Sequence, residues 1–158
     1  GCPVWIPPAD RPLLTDPMAA ISGESAAMLR QQLNLIDLPS FAEPADVRDA
    51  LDGAEIDVDG LVFTVDHVPG HTPGTVLYRV DWDGPEAIPQ VMFSGDFLFQ
   101  GSIGRTDLAG GSHDQMLDSL RDRVLPLPDD VVVLPGHGPQ TSVARERAMN
   151  PFLAELGA

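Results

Sequence analysis

Apolar and polar positions alternate with a period of two over residues 55–58 and again over 61–68. The two runs are joined by Asp59-Gly60, a pair suited to the left-handed conformations of a tight hairpin turn, so they predict two strands of one hairpin. Residues 75–82 and 90–94 predict a third and a fourth strand, and 131–134 a strand of the buried type. Residues 3–6 open the chain as a short apolar strand. The stretch 19–50 is loosely helical, with Met28, Leu29, Leu33 and Leu35 between turn signals at Gly23 and Pro39. Ser112 stands three residues before Gln115, the spacing of a capping box, and Met116, Leu117, Leu120 and Val124 then recur at helical spacing until Pro126. Thr141 is placed to cap a last helix that stops before Asn150-Pro151. Strands outnumber helices and each helix follows a group of strands, which predicts an α+β fold with helices on the outer faces of sheets. Without repeats or a linker, residues 1–158 read as a single domain.

Composition narrows the partners. The chain of 158 residues is 43% hydrophobic and 21% charged, enough apolar residues for a sizeable core. Twenty-four acidic residues stand against nine Arg and no Lys, for a formal charge of −15. Nucleic acid and anionic membrane surfaces both select basic footprints, so neither is an expected partner. No apolar stretch approaches the roughly 18 residues of a membrane span, and the opening GCPVWIPPADRP has neither a basic segment nor an apolar core of a secretory leader. With Cys2 alone, no internal disulfide is possible, and the expected compartment is the cytoplasm. Cys2 lacks a basic neighbour that would lower its pKa and reads as a small packed side chain.

Chemistry concentrates where strands end. His71 and His137 lie in VPGHTPGT and LPGHGPQT, each an apolar strand running into Pro-Gly-His. Such a turn, stiffened by Pro and opened by Gly, sets an imidazole at the rim of a sheet. VMFSGDFLF delivers Asp96 to a rim in the same way. Taken singly, each is more often an exposed or hydrogen-bonded histidine or an ordinary turn; together, two imidazoles and a carboxylate make a donor set suited to a borderline metal. His113 reads as a solvent-exposed residue at a helix start.

HVPGHTPGT, FSGDFLFQGSIGRTDLAGG, VLPGHGPQTS and RERAMNPFL, in that order, resemble the blocks of the metallo-β-lactamase-fold hydrolases, and among them the compact glyoxalase II-like (hydroxyacylglutathione hydrolase-like) branch. The resemblance runs over most of the chain from Leu61 onward and implies an αββα sandwich. It also implies a site for two divalent transition metals, with zinc, iron or manganese in different members. Carried onto this sequence, it makes His71 a ligand of one metal, His137 a ligand of the other, and Asp96 the bridge between them, and it gives His67, four residues before His71, a supporting or packing role. A hydroxide between the two metals would then attack the substrate carbonyl. The resemblance further places Arg105, in GSIGRTD, at the thiol-carrier end of the substrate, whereas Asp107 stands where relatives carry an aromatic residue. An ion pair with Asp107 is the plainer role for Arg105.

The family's first ligand block, written HxHxDH, does not occur in the chain, so residues 1–158 resemble the C-terminal portion of such an enzyme. Alone they are expected to be inert, the missing N-terminal segment being the required partner. The function implied for the intact protein is hydrolysis of a small-molecule thiolester. A mononuclear iron persulfide dioxygenase of the same fold is the alternative, since it shares GRTD, although Gly138 stands where that group carries Asp. A non-catalytic interaction protein is the third reading. A β-lactamase proper is set aside because GRTD and NPFL belong to the other branch.

Overall fold

The chain enters on β1 (Val4–Ile6), which pairs in parallel with β2 (Val47–Asp49) so that Val4 faces Val47 and Ile6 faces Asp49. The computed structural model describes residues 2–20, 27–28, 31–32, 41–84 and 88–157. The alternating runs become β3 (Glu55–Val58) and β4 (Leu61–His67), an antiparallel hairpin closed by Asp59-Gly60. They join β5 (Val76–Asp81), β6 (Gln90–Gly95), β9 (Val132–Pro135) and β10 (Thr141–Ser142) in one six-stranded sheet, ordered β10-β9-β6-β5-β4-β3. A small hairpin of β7 (Leu98–Phe99) and β8 (Ser102–Ile103) follows β6. The helices are α1 (His113–Ser119), continued by a π-helical turn (Leu120–Val124), then α2 (Val143–Met149) and α3 (Pro151–Glu155). The mixed α and β architecture is the expected one.

Register sorts the sheet residues onto two faces. Leu77, Met92 and Val133 point to one face and are fully buried with Met116, Leu120, Val124, Val143 and Leu153 of the helical segments. Each such side chain contributes about 1.5–3 kcal/mol by leaving water. The opposite face carries Phe63, Val80, Val91, Phe93 and Leu134. Ala50 and Trp5, from the β1–β2 side, cover only the end near Ile56 and Val65. Beyond them lies an open apolar groove of about 360 Å³, with Leu61 and Phe93 each 40% exposed.

Several expectations shift. Within 19–50, Ala27, Met28, Gln31 and Gln32 are helical, while Leu29, Leu33 and Leu35 lie outside the described residues. The same stretch ends as strand, because the 47–49 backbone pairs with β1. Ser112 caps α1 by accepting from the Gln115 N–H, as its spacing predicts. Ser142, not Thr141, caps α2: Thr141 is drawn into β10 opposite Val133, and the next hydroxyl accepts from the Arg145 N–H. That helix stops before Asn150-Pro151 as expected, but it is not the last: Asn150 caps α3 with Pro151 in its first turn, where a missing N–H costs nothing. Cys2 is exposed rather than packed, because it precedes the first residue of β1.

A chain of ion pairs ties the π turn to the sheet. Arg79 makes a two-pronged contact with the buried Asp66, and Arg123 donates to Asp52 Oδ2 at 2.8 Å. Asp52 Oδ1 accepts the His67 N–H at 2.8 Å. That N–H, more than the guanidinium of Arg123, holds the Asp52 carboxyl below its ordinary pKa against partial desolvation. A depressed carboxyl adds stability above its unfolded value of about 3.9 and loses it as pH falls through the folded value. Asp52→Asn keeps the acceptor for His67 and removes the charge. The variant is expected to be less stable near neutral pH by under about 1 kcal/mol, since Asp52 is half exposed. The deficit should shrink as pH falls below the ordinary carboxyl value of about 3.9 in urea unfolding; a deficit constant across pH would contradict the charge account.

Candidate metal centre

Strand direction assembles the site. β4 is antiparallel to β5, β5 is antiparallel to β6, and β6 is parallel to β9, so β4, β6 and β9 all point the same way. Their C-terminal ends share one rim, and the loops leaving them carry His71, Asp96 and His137. All three line a cleft of about 420 Å³, together with Phe99, Arg105 and Gly138.

The His71 loop is fastened on both flanks. Ser119 Oγ of α1 donates to the Pro69 carbonyl at 2.9 Å, and a His67 ring nitrogen lies 2.8 Å from the Pro73 carbonyl, which gives His67 the supporting place expected of it. From the far side Asp10 accepts the Gly74 N–H at 2.9 Å and the Thr72 hydroxyl at 2.5 Å. Gly74 must be glycine for this, because a Cβ there would stand 2.5 Å from Asp10 Cγ. His71 itself is half-buried, with Nδ1 2.9 Å from the Arg105 carbonyl. A carbonyl only accepts, so Nδ1 carries the proton and Nε2 keeps its lone pair in the neutral ring.

Asp96 follows the end of β6 and is rooted by Phe97 and Leu98, both fully buried. Gly136 gives its carboxylate room: a Cβ there would sit 2.6 Å from Asp96 Oδ1. The Gly136 N–H also donates to the Gly95 carbonyl at 2.8 Å, carrying the β6–β9 pairing up to the site. His137 Nδ1 lies 3.1 Å from Asp96 Oδ1, and the His137 ring is 4.5 Å from that of Phe99. The Asp96 and His137 side chains are 42% and 71% exposed, so both are open to a ligand.

Arg105 pairs with Asp107 through two bonds of 2.6 and 2.7 Å, the ion pair expected from sequence. The guanidinium pulls the Asp107 carboxyl down to about 2. Arg105 therefore has two contacts at the cleft, its carbonyl orienting His71 and its guanidinium held at the rim by Asp107. His113 is exposed, as its sequence setting suggested.

The donor chemistry of His71, Asp96 and His137 fits a divalent transition metal, with imidazole nitrogens and an accessible carboxylate. Their number does not complete a site. Among the described residues, no three His, Cys, Asp or Glu side chains converge closely enough to hold an ion. The sequence reading missed Asp10 and Thr72, whose contacts span 64 and 62 residues and leave no local signal.

A helix-backed mixed sheet with imidazoles and a carboxylate gathered on one rim is a metallohydrolase layout. Residues 1–137 match the profile of the Metallo-beta-lactamase superfamily, and the chain belongs to that superfamily, whose members are metal-dependent hydrolases binding divalent metals such as zinc or iron. An uncharacterized protein of Mycobacterium tuberculosis is 43% identical over 157 residues, which is 99% of this chain and 66% of that protein. The chain thus spans slightly less than two thirds of that relative. Hydroxyacylglutathione hydrolase GloC of Haemophilus influenzae is 41% identical over 102 residues, 65% of this chain and 45% of its own length. The crystal structure of the BLEG-1 B3 metallo-beta-lactamase superposes with a TM-score of 0.73 at 36% identity, over 96% of this chain and 65% of that one. TTHA1623 in a di-iron-bound form gives 0.65 at 36% identity, with the same coverage. Among the described residues no helix is long and apolar enough to cross a membrane.

Gly136→Ala tests the tight seat of Asp96. The added methyl should displace the carboxylate and change the His137 ring nitrogen shifts in NMR, while the His71 Nδ1–H bonded to Arg105 stays in place. Unchanged His137 signals would show that Asp96 does not depend on that space.

Proposed function

We propose that the full-length protein is a metal-dependent hydrolase of small thiolesters, with its metals held in part by His71, Asp96 and His137. The observation that carries this reading is that those three side chains line one cleft with Arg105; similarity to GloC supports the thiolester class. In this reading the remaining donors, and the cover for the open apolar face, come from sequence outside residues 1–158.

Each residue has a task suited to its surroundings. His71 offers Nε2 because the Arg105 carbonyl fixes the proton on Nδ1. Asp96 has two carboxylate oxygens and so can serve two cations at once. Divalent metals bound there supply Lewis acidity and a water ionised near neutral pH. Arg105 stands at the mouth of the cleft for an anionic group of the thiol carrier, with part of its charge answered by Asp107. A thiol of pKa about 8.5 leaves readily as thiolate, so no side chain here has to protonate it.

Elemental analysis of the full-length protein is expected to give close to two zinc, iron or manganese ions per chain, and none would overturn the reading. Asp96→Ala should lower kcat on an acylated small thiol by at least about a hundredfold, against about tenfold or less for His67→Ala. Metal content must be measured in parallel, and equal losses would mean that the ligand and the support have been exchanged. A single iron with oxygen consumption on a persulfide would replace the hydrolase reading with the dioxygenase one. Faster turnover of a β-lactam than of any thiolester would favour the activity suggested by the BLEG-1 likeness.

A further inference from the structure

We infer that Glu146 is a positioning residue that locks the His137 loop to the turn bearing Phe99 and so fixes where the His137 ring stands. Its consequence for metal binding rests on the function proposed above; the positioning does not. Glu146 is fully buried on α2, and its carboxylate accepts from three neutral donors. These are the Gly101 N–H at 2.7 Å, the Thr141 hydroxyl at 2.5 Å and the Asn150 side-chain amide at 2.9 Å. Among the described residues only neutral groups answer this buried carboxylate, an expensive way to fill space that an apolar side chain would fill more cheaply.

Two of the donors, Gly101 and Thr141, lie on the two segments that form one wall of the cleft, and the third, Asn150 at the start of α3, also binds one of those segments. Gly101, at φ +70°, is in the turn between β7 and β8, and Asn150 also donates to the Ser102 carbonyl at 3.0 Å. The turn is thereby held from inside at two successive backbone groups. Thr141 closes the loop that leaves β9 and carries His137, and it enters β10 opposite Val133. Phe99 and Ser102 of the turn and His137 and Gly138 of the loop line the cleft together. His137 is 71% exposed and touches Asp96 and the Phe99 ring, so the place of that ring governs the place of the imidazole. Glu146 reaches neither His137 nor the cleft and acts through Phe99 and Thr141.

The test uses the full-length protein with Glu146→Gln, which keeps the shape and turns one acceptor into a donor. Val124→Ala serves as a core control of similar loss in Tm that removes none of the hydrogen bonds of Glu146. His137 ring-proton shifts in the metal-free protein report the Phe99 ring current, and chelator competition reports zinc affinity. Glu146→Gln should move the His137 signals and weaken zinc about tenfold, whereas Val124→Ala should leave both nearly unchanged. Should Glu146→Gln fail to fold, Thr141→Val is expected to show the same pair of effects and Thr141→Ser to be spared them. Unmoved His137 signals in the Glu146 or Thr141→Val variant, or equal movement in Val124→Ala, would overturn the inference. A protein that binds no zinc at all defeats the proposed function, and the metal-free His137 signals still decide the role of Glu146.

Discussion

The parallel pairing of β6 with β9 is the constraint on which the site depends. Val91, Met92 and Phe93 face Val132, Val133 and Leu134 in register, so the two strands end together and release Asp96 and His137 side by side. β4 runs the same way two strands over and adds His71. If β9 ran in the opposite sense, its four residues at about 3.3 Å each would carry His137 roughly 13 Å to the far rim. The Met92–Val133 contact holds this geometry from below, because both are fully buried under the helices.

Local chemistry then refines what topology brings together. The small spaces at Gly136 and Gly74 admit a carboxylate from Asp96 in one case and from Asp10 in the other. One carboxylate faces the cleft and the other stays behind the loop, fastening Thr72 beside His71. Arg105 joins the two levels, since its backbone orients an imidazole and its side chain, held by Asp107, shapes the mouth. The site is thus a set of donors lining one cleft on a stiff frame, a suitable arrangement for ligands that must keep their positions while exchanging water for metal or substrate.

Much of this was legible in the sequence because it is written in short-range signals. Alternation marks β3 and β4, and the runs 75–82 and 90–94 mark β5 and β6, nearly to the residue, while Ser112 with Gln115 marks the start of α1. His71, Asp96 and His137 stand out in the sequence because each follows a recognisable strand and turn, and Arg105 only through the resemblance; all four line one cleft. The two-residue strands β7, β8 and β10 escaped because such lengths have no period, and Thr141 was misread as a cap for that reason. Asp10 and Glu146 escaped differently: their partners are supplied by the tertiary fold, at separations that no local pattern encodes.

The most direct measurement is an anomalous-scattering map from crystals of the full-length protein loaded with zinc. The account predicts peaks within bonding distance of His71 Nε2, an Asp96 carboxylate oxygen and a His137 ring nitrogen, on the rim where β4, β6 and β9 end. Peaks at another site, or bound zinc that leaves these three side chains uncoordinated, would contradict it.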